Sequence, residues 1–168
     1  MESLLAKDAI LDLMTKMAYA QDGLDRALLK SLFVPDKKIF FDVSAHLPTY
    51  EPMQITPDEL MDQVTTAIAG YTATQHLLAN PLIALDSPGK PTKGNCKIQV
   101  CAYHCIEDEG KPLESVCARD IWDMDVEKWE GRWVITGIVI KRDVPMDNPA
   151  LYNIAKQRTV RRKEKDAE

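Results

Sequence analysis

The sequence predicts an α+β fold in which a curled, antiparallel or mixed β-sheet wraps around N-terminal helices, and three observations carry that expectation. Between residues 3 and 69, apolar side chains recur at three- and four-residue spacing. From Tyr71 to Arg142 the texture changes to long runs rich in β-branched and aromatic residues that alternate with period two. Short turns, among them Asp108-Glu109-Gly110-Lys111 and Glu130-Gly131, join several of these runs. Helices followed by consecutive hairpin-linked strands belong to α+β architectures.

Each element has its own signal. Residues 3–22 read as a helix with Ser3 as N-cap and Ile10, Met14, Met17 and Ala18 on one face. One further turn of that face lands on Gln21 and Asp22, which points a carboxylate inward. The alternative use of Asp22 is to cap the next helix, but Asp25 is better placed for that over residues 25–33. Lys38 to Val43 is a short β-rich run, and Pro48 and Pro52 bracket a loop around Tyr50. Thr56-Pro57-Asp58-Glu59 carries the signature of a capping box with proline at the first helical position. That helix is expected to run to about Ala69 and to stop at Gly70.

Four strands follow, over residues 72–85, 95–107, 113–125 and 132–142. In the second, Cys96, Ile98, Val100, Ala102, His104 and Ile106 share one face, while Lys97, Gln99, Cys101, Tyr103, Cys105 and Glu107 share the other. His104 is the polar member of the apolar face. In the fourth, Trp133, Ile135, Gly137, Val139 and Lys141 fall on one side. Residues 1–144 are expected to form the α+β domain. Residues 145–168 are expected to form a C-terminal segment whose Met146, Leu151, Tyr152 and Ile154 close over the open end of the sheet as a lid, ahead of a basic, solvated tail.

Composition narrows the function classes. The 168 residues are 45% hydrophobic and 28% charged, with a formal net charge of -5, as expected of one ordinary globular domain. An acidic balance argues against a nucleic-acid partner, whose recognition needs a basic face. Neither a secretory leader nor a membrane-spanning run is visible, so the expected location is the cytoplasm. The four cysteines lack zinc-type spacing and are expected to be free thiols, without a metal site. No phosphate-cradling glycine loop, dinucleotide fingerprint or nucleophile elbow is present, and no cofactor is expected.

His76 stands in Thr74-Gln75-His76-Leu77-Leu78, an otherwise apolar strand-like run. A histidine there, like His104, is either a satisfied core residue or a poised acid/base. The ordered set Tyr19-Ala20-Gln21-Asp22-Gly23-Leu24-Asp25, Phe33-Val34-Pro35-Asp36, Phe41-Asp42, Thr74-Gln75-His76, His104 and Trp133-Val134-Ile135-Thr136-Gly137 resembles the SnoaL-like group of the cone-shaped α+β barrel superfamily, and within it the scytalone dehydratase family. The resemblance implies that Asp22, His76 and His104 converge as catalytic groups. Where the dehydratase family has two tyrosines, this sequence has Gln21 and Val43. Where it has serine and asparagine on the third long strand, this sequence reads Ala118-Arg119-Asp120-Ile121-Trp122.

An aspartate and two histidines in an apolar enclosure are suited to moving a proton beside a carbonyl. The expected roles are Asp22 orienting and charging His104, which donates to a substrate oxygen, and His76 as the carbon base, with the two histidine roles exchangeable. Gln21, Phe41, Val43, Asp120, Trp122 and Met124 are the expected substrate-binding residues. The resemblance implies a cofactor-independent isomerase acting on a polycyclic, polyketide or xanthone-type substrate, with a dehydratase or cyclase and a non-catalytic binding module as alternatives. A homodimer through the outer sheet face around Cys101, Tyr103 and Cys105 is also expected.

Overall fold

The computed structural model describes residues 1–45 and 50–165. Their order is α1 (Glu2–Asp22), α2 (Arg26–Ser31), β1 (Ile39–Asp42), β2 (Met53–Ile55), α3 (Pro57–Ile68), β3 (Ala73–Leu85), β4 (Lys93–Ile106), β5 (Glu114–Trp129), β6 (Arg132–Val144) and α4 (Ala150–Lys165). The strands form one mixed sheet in the order β2-β1-β6-β5-β4-β3, antiparallel except where β1 runs parallel to β6. The expected α+β architecture is therefore the observed one. Pro48 lies outside the described residues.

Local chemistry explains where elements begin and bend. Thr56 accepts the Glu59 backbone N–H at 3.2 Å while the Glu59 carboxylate accepts the Thr56 backbone N–H at 2.7 Å, closing the capping box of α3. Asp25 caps α2 through the Leu28 N–H at 2.8 Å. Glu130 and Gly131, both with positive φ, turn β5 into β6 through the two-residue link that a right-twisted hairpin favours. At the edge of the sheet, β3 tolerates Pro81 because its register with β4 breaks between Ala79 and Leu82.

Five details differ from expectation. Ser3 does not cap α1, which starts one residue earlier; its hydroxyl instead donates to the Pro88 carbonyl. Gly70 has no left-handed φ. It is needed because a Cβ there would overlap the Ala155 carbonyl oxygen of α4. The regular alternation read along β6 fails at Thr136, the extra residue of a bulge opposite Asp125 and Val126. Beyond it Ile138 is buried and Lys141 turns outward to Asp123, at 2.6 Å. Ile154 is exposed, and the buried face of α4 is Leu151, Ala155 and Thr159. The strand β2, only three residues long, has no periodic signal in the sequence.

Two apolar clusters hold the molecule together. The larger packs Ile10, Met14 and Met17 of α1 against Ile98, Val100, Trp122, Met124 and Ile138 of the sheet. The smaller joins Ile68, Tyr71, Ile106, Val116, Leu151 and Ala155, so it seats α4 on α3 and on the ends of β4 and β5. Arg158 of α4 reaches Asp108 at 2.8 Å, and Arg162 donates to the Ala69 carbonyl at 2.7 Å. The basic half of α4 is thereby anchored at both residues. No helix among the described residues is long and apolar enough to cross a membrane.

Candidate functional site

The last turn of α1 crosses β3, the edge strand, and delivers Asp22 to its first residues. There the carboxylate is held three ways. Oδ1 accepts the Thr74 hydroxyl at 2.9 Å, Oδ2 accepts the His76 backbone N–H at 2.9 Å, and Oδ1 lies 2.6 Å from His76 Nδ1. Burial works to raise the Asp22 pKa. The hydrogen bonds and charge of His76, with the Thr74 hydroxyl, outweigh it and hold the carboxyl below its ordinary value. Asp22 is therefore an anion at neutral pH, and its 2.6 Å contact places the donor hydrogen on His76 Nδ1. The opposite ring nitrogen, Nε2, is left as the basic one.

The pairing corrects one expectation: Asp22 orients His76, not His104. His104 sits one strand further in, on β4, where every second residue from Cys96 to Ile106 is buried as the alternation predicts. It is 2% exposed. Thr74 and His104 are Cα partners in the β3–β4 ladder, which brings the two imidazoles edge to face with ring centroids 5.4 Å apart. Asp22, His76 and His104 therefore occupy one continuous site.

Aromatic rings complete the surroundings. Trp122 of β5 lies 5.6 Å from the His76 ring. Tyr71 stacks on His104 at 4.8 Å, and Tyr152 of α4 meets His104 edge-on at 5.7 Å and Tyr71 at 6.0 Å. Neither tyrosine is singled out as a site residue by the sequence, because one lies in the α3–β3 connection and the other reads as packing in a terminal helix. Proximity to a histidine is a tertiary fact with no local signature. Burial pushes both phenols to higher pKa, so they are neutral donors near neutral pH.

The remaining expected residues divide. Asp120 is buried on the inner face of β5, directly across from Arg142 in the β5–β6 register. Gln21 is half-buried beside Asp22, and Val43 packs at the margin of the larger core. Phe41 meets Tyr50 edge-on at 6.5 Å, and Met124 is fully buried between Cys96 and Ile138 in the ladder. These last two belong to the core rather than to the ring of groups around His76. A cleft of about 310 Å³ between α1 and β3, lined by Thr15, Ala18, Tyr19 and Leu78, opens onto Asp22 and His76. Among the described residues no cluster of three or more His, Cys, Asp or Glu side chains is arranged to hold a metal ion.

Comparison with known proteins adds a family and a fold. A SnoaL-like domain matches residues 2–138. The Kfla4162 protein from Kribbella flavida has the same fold, with a TM-score of 0.80 at 14% identity over 90% of this chain and 99% of that one. A candidate scytalone dehydratase from Novosphingobium aromaticivorans is similar at TM-score 0.64 and 20% identity, over 86% of this chain and 88% of its own. Hexachlorocyclohexane dehydrochlorinase LinA-type3 from Novosphingobium barchaimii is similar at TM-score 0.66 and 17% identity, over 85% and 90%. No curated protein matches the sequence.

Proposed function

The chain belongs to the SnoaL-like domain family, and we propose that it is an enzyme whose Asp22–His76 pair removes a proton from carbon next to a carbonyl of a small cyclic substrate. The product on this reading is an isomer. The observation that carries it is the threefold hold on Asp22, which fixes the orientation and proton of His76 before any substrate arrives. A base held in place in this way contributes roughly 100- to 10,000-fold in rate.

The steps need no added cofactor. His76 Nε2 takes the carbon-bound proton, and the C–H electron pair moves into the carbonyl to leave an enolate. Asp22 stabilises the imidazolium that forms. Return of the proton from the His76 imidazolium to a conjugated carbon on the same face gives the isomer. His104 and Trp122 supply the aromatic wall beside the base, which suits a planar ring such as a polyketide or xanthone-type skeleton. A cytoplasmic homodimer through the outer sheet face belongs to this reading; a monomeric mass in sedimentation equilibrium would remove the dimer.

A second outcome uses the same base. Two proteins of similar fold carry names of elimination catalysts, a dehydratase and a dehydrochlorinase. If the carbanion expels a neighbouring group, the product loses water or hydrogen chloride. Incubation in deuterated buffer with cyclic ketones separates these readings by mass. Deuterium gain on an intact skeleton supports isomerisation, loss of water supports elimination, and exchange that is unchanged in His76→Ala overturns both.

A further inference from the structure

Tyr71 is 5% exposed, yet its hydroxyl has no hydrogen-bond partner among the described residues. A buried polar group left in that state costs ~1–3 kcal/mol. If packing on His104 were the residue's whole task, phenylalanine would perform it without that cost. The ring itself is firmly placed, stacked on His104 at an interplanar angle of 20° and crossed edge-on by Tyr152. Gly70, pressed against the Ala155 backbone, fixes the chain immediately before it. The hydroxyl is thus a positioned donor of unmet capacity, held as a neutral phenol by burial.

We propose that the Tyr71 hydroxyl donates a hydrogen bond to an oxygen atom of the substrate, a ring-borne carbonyl that becomes an enolate, in a subsite walled by the rings of His104 and Tyr152. The inference rests on the reading that His76 deprotonates the adjacent carbon. His76 and Tyr71 both contact the His104 ring, at ring separations of 5.4 and 4.8 Å. On this proposal one small ring system presents its acidic carbon to the first and its oxygen to the second. As the C–H bond breaks, negative charge collects on that oxygen, where a donor in a dry site is most effective. Tyr152 comes from α4, beyond residues 2–138 that match the family.

The test compares 1-tetralone with tetralin, its counterpart without the oxygen, by calorimetric binding to wild type, Tyr71→Phe and His76→Ala, with thermal unfolding of each. Expected is a fall of about tenfold in the tetralone-to-tetralin affinity ratio in Tyr71→Phe, one hydrogen bond's worth, with a melting temperature equal to or above wild type. An unchanged ratio, or a wild type that binds neither probe, overturns the proposal. So does a melting temperature several degrees lower in Tyr71→Phe, which would show that the hydroxyl holds the fold together. Deuterium exchange of tetralone separates the two ideas. If His76→Ala keeps exchange while Tyr71→Phe loses the oxygen preference, the base assignment fails and the donor stands; the reverse pattern sinks the donor alone.

Discussion

The two ends of the site are built on opposite plans. At the Asp22 end, one carboxylate accepts three hydrogen bonds, two from a histidine and one from a threonine, beside a cleft open to solvent. At the Tyr71 end, aromatic rings stack beside α4 and the buried Tyr71 hydroxyl has no hydrogen-bond partner among the described residues. The first end is satisfied before substrate binds, and the second keeps a donor in reserve. Preorganisation suits a base whose proton state must be right at the moment of reaction. Unmet capacity suits a group that must prefer the charged oxygen of a reacting substrate.

Removing the base should have the largest effect. His76→Ala is expected to lower deuterium exchange into a bound cyclic ketone by ~100- to 10,000-fold, measured by mass spectrometry, while the ketone still binds. Asp22→Asn keeps the shape of the clasp but removes its charge, so exchange should fall by ~100-fold, the lower end of the usual span for positioned acid/base groups. If the asparagine variant exchanges as fast as wild type, the preset half of the comparison is wrong.

The Tyr71 end is broken from the fold side by Gly70→Ala. The added methyl meets the Ala155 backbone, which cannot swing away as a side chain would. Overpacking of this kind costs ~1–3 kcal/mol. Chemical denaturation should register it, and Tyr71 and Tyr152 fluorescence should report loosened rings. Full stability in this variant would show that α4 is not seated as described.

The open end has a pH signature. Because the Asp22 pKa is lowered on folding from its ordinary value of 3.8, its clasp contributes stability that is complete above that value. The contribution is lost as pH falls through the lowered one. The stability gap between wild type and Asp22→Asn should therefore narrow as acid titrations pass below about pH 4. The smallest effect sharpens the comparison from outside: Thr56→Ala removes the α3 cap and should cost ~1 kcal/mol of stability while leaving ketone exchange unchanged.

These contrasts also explain which parts were readable from residues alone. His104 was legible because β4 is buried on one face along its whole length, so strict alternation places one polar residue among five apolar ones. Asp22 was legible as the end of an apolar helical stripe. Its partner was not, because the choice of His76 depends on where the end of α1 crosses β3, 54 residues away in the chain. Alternation failed on β6 for a similar reason: the bulge at Thr136 is a property of pairing with β5. Gly70 was read as a helix stop from its sequence position, whereas its tighter constraint is the Ala155 backbone 85 residues downstream.

The central claim is that Asp22 presets the proton on His76, and nitrogen-resolved NMR of the imidazole tests it without any substrate. The account predicts that the uncharged His76 ring carries its proton on Nδ1, with a strongly deshielded resonance that disappears in Asp22→Asn. A neutral ring protonated on Nε2, with Nδ1 bare beside the carboxylate, would contradict it.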